Sequence, residues 1–72
     1  MLETITATYN SSDQIRNAWD DLINTGNIPR DKIYMDEDGM VIKVMVNNAI
    51  KPEIQELLQR HNPLEIHDRP VS

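Results

Sequence analysis

Residues 32–47, KIYMDEDGMVIKVMVN, decide how this chain folds. Two runs, Lys32 to Asp36 and Met40 to Asn47, flank Asp38-Gly39, a pair suited to a two-residue type I′ hairpin turn. With that loop, Met35 pairs with Ile42 and Ile33 with Val44, so four apolar side chains share one face. A slip of one residue sets Met35 against Val41 and splits the apolar set across both faces. The same register puts Tyr34 opposite Lys43 and Lys32 opposite Met45 on the other face.

On the N-terminal side, Leu2 to Tyr9 alternates, with Ile5, Ala7 and Tyr9 on one face and Thr4, Thr6 and Thr8 on the other. This is the pattern of a strand with one buried side. Ser11, followed three residues later by Gln14, fits a capping box. Ile15, Ala18, Trp19, Leu22 and Ile23 then form a helical apolar stripe, and Gly26 is placed to end the helix in a left-handed conformation. After the hairpin, Ala49 to His61 predicts a second helix with Ile54, Leu57 and Leu58 inward. Pro52 belongs in its first turn, which moves the start toward Lys51; Asn62-Pro63 stops it. Leu64 to His67 is a short last strand.

Strand–helix–strand–strand–helix–strand is the ferredoxin-like order. The expected fold is α+β, a four-stranded antiparallel sheet with two helices on one face, its first and third strands central. Residues 1–67 form one domain, and 68–72 a fraying tail. The expected core is Ile5, Ala7, Ile15, Ala18, Trp19, Leu22, Ile23, Ile28, Ile33, Met35, Ile42, Val44, Val46, Ile54, Leu57, Leu58, Leu64 and Ile66. Trp19, the largest of these, is expected against Ile5 and Val44.

Tyr9, Ser11, Ala18, Leu22, Gly26, Ile28, Pro29, Asp31 and Ile33 form a further pattern. An aromatic ends a strand, a polar cap opens a helix with an Ala-x3-Leu core, and a Gly-Ile/Phe-Pro-like exit leads to an x-Asp-x-Ile strand. Between Tyr9 and Met35, about a third of the chain, this resembles the start of small bacterial general-stress, heat-induced YflT-like domains. Asn27 separates Gly26 from Ile28, where that family's pattern runs on directly. The resemblance implies a bacterial protein and carries over no catalytic residue.

Composition narrows the function classes. Seven basic residues face twelve acidic ones, a net charge of −5. That balance repels phosphate backbones and anionic membranes, and no basic stripe runs along the chain. The three aromatics, Tyr9, Trp19 and Tyr34, do not make a base-stacking sheet. Nucleic acid and membrane are therefore not expected partners. The absence of cysteine excludes disulfides and thiolate metal sites. The N-terminus lacks a basic flank and an apolar signal core, so a cytoplasmic protein is expected.

No catalytic, metal or cofactor site is legible. For a calcium loop with Gly39 as its sixth residue, Tyr34 and Met45 stand where oxygen ligands belong; Asp36-Glu37-Asp38-Gly39 reads as a solvated turn. His61 and His67 are the only imidazoles, too few for a site without converging carboxylates. Ser11 and Ser12 read as caps, and Asp20-Asp21 as a solvated helix face. Gly26 and Gly39 have structural uses, so no phosphate-cradling loop exists.

The sheet face away from the helices carries Thr4, Thr6, Thr8, Tyr34, Val41, Lys43 and Met45, with His67 at its margin. A cluster of apolar side chains on a flat sheet marks a contact. The expected function is a small non-catalytic interaction or regulatory module, its partner another protein or a second copy of itself. The alternative is a small-ligand sensor similar to amino-acid-binding ACT-type regulatory domains. Those carry a Gly-rich turn after the first strand, and Tyr9-Asn10-Ser11-Ser12 has no glycine.

Overall fold

The structure is a computed structural model that describes residues 2–70. Its elements are β1 (Leu2–Thr8), α1 (Ser12–Asn24), β2 (Ile33–Asp36), β3 (Val41–Asn47), α2 (Lys51–Gln59) and β4 (Glu65–Pro70), with one 3-10 turn at Arg30–Lys32. The strands form one sheet in the order β2-β3-β1-β4, and every neighbouring pair is antiparallel. This is the ferredoxin-like βαββαβ arrangement, with β1 and β3 central. Hairpin register is as the alternation requires: Ile33 faces Val44, Met35 faces Ile42 and Tyr34 faces Lys43.

Both helices cover one side of the sheet. Ile5, Ala7, Ile33, Ile42, Val44 and Val46 from the strands meet Ile15, Ala18 and Leu22 of α1 and Ile54, Leu57 and Leu58 of α2 in one buried cluster. Ser11 caps α1 by accepting from the Gln14 N–H at 3.2 Å; the Gln14 side chain accepts in return from Asn10 N–H, one residue before the cap, at 3.1 Å. Pro52 lies in the first turn of α2, where its missing N–H costs no bond.

Several expectations need correction. Trp19 is only partly buried, packed on the side of the cluster, while Tyr9 is 1% exposed and lies within it. Tyr9 directly follows the central strand on its buried side, so its ring enters the layer between sheet and helices. Its hydroxyl donates to the Leu58 carbonyl of α2 at 2.8 Å, and its N–H donates to Met40 O at 2.8 Å. Leu64 is 62% exposed, because β4 begins only at Glu65 and Tyr9 holds the core at that end. Ile23, Met35 and Ile66 are half-buried around the cluster.

The fourth strand also runs further than His67. Asp68, Arg69 and Pro70 pair with Ile5, Thr4 and Glu3, so they belong to the sheet rather than to a tail. An edge strand tolerates a proline because its outer N–H needs no ladder partner. Val71 and Ser72 of the expected tail lie outside the described residues.

Neither glycine takes the left-handed conformation. Asn27 (φ 55°) does so after α1, and Met40 (φ 57°) in the hairpin. The hairpin loop is therefore not type I′. Asp36 Oδ1 accepts from Gly39 N–H at 3.1 Å, and the left-handed turn falls on the following residue. Gly26 is needed for space instead: a Cβ there would lie 2.9 Å from Leu22 O and 3.1 Å from Ile54 Cδ1. Asn62 (φ 57°) ends the second helical segment.

Tyr9 and Trp19 give the first test. Tyr9→Ala empties a buried site and should cost ~3–5 kcal/mol, comparable to the whole stability of so small a domain. Trp19→Ala, at a half-buried site, should cost about half as much. Equal losses in urea melts would place Trp19 in the core after all. Burial also pushes the Tyr9 hydroxyl well above the ordinary tyrosine range. The unfolded chain releases that proton above about pH 10 while the folded chain keeps it, so stability falls as pH rises beyond that point. Tyr9→Phe should cost ~1 kcal/mol at neutral pH for the lost hydrogen bond and flatten this alkaline decline.

Candidate functional site

The sheet face opposite the helices is the candidate site, and strand period two sends every second residue there. Pairing arranges its side chains in three rows across the strands. The first row runs Asp36, Val41, Thr8, Glu65; the second runs Tyr34, Lys43, Thr6, His67; the third holds Met45, Thr4 and Arg69. Lys32, on the 3-10 turn before β2, borders the third row: with Thr4, Tyr34, Lys43 and Met45 it lines a shallow depression of ≈ 350 Å³. A second depression, ≈ 480 Å³, is lined by Thr4, Thr6, Lys43, His67 and Arg69. All seven expected face residues, Thr4, Thr6, Thr8, Tyr34, Val41, Lys43 and Met45, thus fall together on β1, β2 and β3. Tyr34 is 59% and Met45 37% exposed.

Reading along the chain missed the charge of this face. Lys43, His67 and Arg69 come from β3 and β4 and surround Thr4 and Thr6. Lys43 and Arg69 make no ion pair among the described residues; His67 approaches Glu65 at 3.4 Å. No run of basic residues announces this patch, since its members are 24 and 2 positions apart along the chain. Arg69 falls in the expected tail, and only its pairing with Thr4 brings it onto this face. The acidic row, with Asp36 and Glu65, lies at the opposite end of the same face.

Other polar clusters have structural roles. Lys51, opening α2, reaches Asp68 at 2.6 Å and Glu3 at 3.2 Å. Those carboxylates sit on β4 and β1 on the helix side, so the ammonium ties α2 to two strands. Hydrogen bonding from Lys51 holds Asp68 below the usual carboxylate value, and bonding to Asp68 and then Glu3 raises Lys51 above the usual ammonium value. His61 Nε2 lies 2.6 Å from Asp21 Oδ2, joining the end of α2 to α1. Asp21 is therefore half-buried in a pair rather than on a wholly solvated face, whereas Asp20 is exposed. Among the described residues no three His, Asp or Glu side chains are grouped to hold a metal ion. In the turn Tyr9-Asn10-Ser11-Ser12, the Tyr9 N–H donates to Met40 O and the Asn10 N–H to Gln14 Oε1.

Among the described residues no helix is long and apolar enough to cross a membrane. Comparison with family models, curated proteins and solved structures finds no match for the chain.

The Lys51 cluster generates a pH prediction. Asp68, lowered in the folded state, contributes stability that is present above about pH 4 and lost as pH falls through its lowered value. Lys51, raised, contributes stability that is present below about pH 10.5 and lost as pH rises through its raised value. Lys51→Ala should therefore lower the melting temperature at neutral pH, and the gap to wild type should narrow in acid as pH falls through the lowered value of Asp68. A gap that stays constant across this acid range would mean that Lys51 acts by packing alone.

Proposed function

We propose that this protein is a small non-catalytic interaction module that acts through the open face of its sheet. The observation that carries the reading is the shared position of Tyr34 and Met45. Both are exposed, and both border one depression beside Lys43. Exposed apolar side chains scattered singly are ordinary, but a group of them on a flat sheet is the mark of a contact surface. Thr4, Thr6 and Thr8 beside them suit either water or burial. The lysines limit the contact to a modest, reversible one, since an unpaired ammonium is costly to bury. The partner is a protein surface, belonging either to another chain or to a second copy of this one.

The test uses the protein as bait in an extract of its native cell, alongside a measurement of its own association by sedimentation. Met45→Asp and Tyr34→Asp place a carboxylate on the face while leaving the core untouched, so their melts should stay within a few degrees of wild type. Both should lose the contact, whether with another protein or with a second copy. Glu53→Lys, on the exposed side of α2, should retain it. A partner held equally well by wild type and both aspartate variants would move the contact off this face.

A further inference from the structure

We infer that the open face binds a second copy of this chain about a two-fold axis that lies in the interface and runs across the strands. This rests on the proposed function and fixes its occupant and register.

Charge and symmetry together select the arrangement. When one surface meets its own copy, the two-fold axis decides which residues meet. Two aligned sheets packed face to face leave two simple choices. If the axis runs along the strands, β4 lies over the copy's β2. Glu65 then meets the partner subunit's Asp36, and Arg69 falls beside the partner subunit's Lys32, so like charges oppose at both ends.

If the axis runs across the strands, through the row Tyr34, Lys43, Thr6 and His67, each strand lies over its own copy in the reverse direction. The acidic row then covers the basic row. Glu65 meets the partner subunit's Arg69, and Asp36 meets the partner subunit's Lys32. Val41 meets the partner subunit's Met45, and Thr8 meets the partner subunit's Thr4. Each pairing occurs twice. The pattern follows from the register alone, in which Thr8 pairs with both Val41 and Glu65 while Thr4 pairs with both Met45 and Arg69.

The axial row carries the cost. Lys43 faces its own copy there, and each ammonium must turn aside over the partner subunit's Tyr34 ring, a favourable position for a cation. Asp31 also lines the depression next to Lys32 and offsets its charge, so the Glu65–Arg69 pairs carry the selectivity. Four strands about 4.8 Å apart make a face about 20 Å wide. That is at the small end for a specific interface, which fits reversible rather than permanent association.

The absence of cysteine from the chain makes cross-linking clean. Facing sheets lie about 10 Å apart, too far for a disulfide but within reach of a short bis-maleimide. Thr6→Cys lies on the axis and should cross-link to itself. Thr4→Cys and Thr8→Cys should each cross-link poorly alone and efficiently when mixed. In sedimentation, Glu65→Arg and Arg69→Glu should each weaken association about tenfold or more, because symmetry doubles the repulsion. The double variant should restore it. Cross-linking of Thr6→Cys to Lys43→Cys in preference to itself would overturn the axis. A wild type still monomeric near millimolar concentration would overturn the second copy as occupant, while capture of another protein lost in Met45→Asp would leave the face reading standing. Self-association unaffected by Met45→Asp would remove both.

Discussion

Strand β1 is hydrogen-bonded on both sides, to β3 from Leu2 to Thr8 and to β4 from Glu3 to Thr8. Everything else depends on that double registration. Because successive side chains alternate, fixing Ile5 against Val44 and Asp68 also fixes Thr6 against Lys43 and His67. One pairing decision thus sets the contents of the core and the order of charges on the open face together. A shift of one residue would exchange the two faces and put Thr4, Thr6 and Thr8 under the helices. Tyr9 locks this register at one end, holding Met40 through its backbone and α2 through its hydroxyl.

The helix side of the sheet is dry in the middle and ionic at its margins. Lys51 bridges Glu3 and Asp68 where α2 starts, and His61 meets Asp21 where it finishes. These contacts place the second helix more than they stabilise it, since partly exposed ion pairs contribute little energy. Their effect on the open face is indirect. Asp68 is drawn to the helix side by Lys51, and alternation along β4 then sends His67 and Arg69 to the other. The patch around Thr4 and Thr6 is the counterpart of a salt bridge on the opposite surface.

The left-handed positions show how tertiary contacts redistribute local preference. A glycine favours positive φ, but it is also the residue that fits where no Cβ can. At Gly26 the second property is in use, because the Leu22 carbonyl and Ile54 crowd it. The left-handed turn passes to Asn27, whose short polar side chain tolerates it. In the hairpin, the Asp36 side chain accepts the Gly39 N–H, and Met40 takes the left-handed turn. The loop differs from the two-residue type, yet the strands beyond it keep the same pairing, because the buried faces of β2 and β3 impose it.

By itself the sequence determined the element order, the hairpin register, the helical stripes and the membership of Thr4, Thr6, Thr8, Tyr34, Val41, Lys43 and Met45 in one face. All of these follow from periodicity, which is a local property of the chain. Only the tertiary structure decided that Tyr9 rather than Trp19 fills the core, since two positions on apolar faces are equivalent until the depth of each in the layer is known. It alone extended the last strand to Pro70, because a strand continues where a neighbour offers a ladder, and the residues of Asp68-Arg69-Pro70 carry no strand signal of their own. With that extension Arg69 comes to lie beside Thr4, and a face read as threonines around an apolar cluster acquires an acidic end and a basic end. Charge order across a sheet is set by pairing between distant segments, and no reading along a single chain contains it.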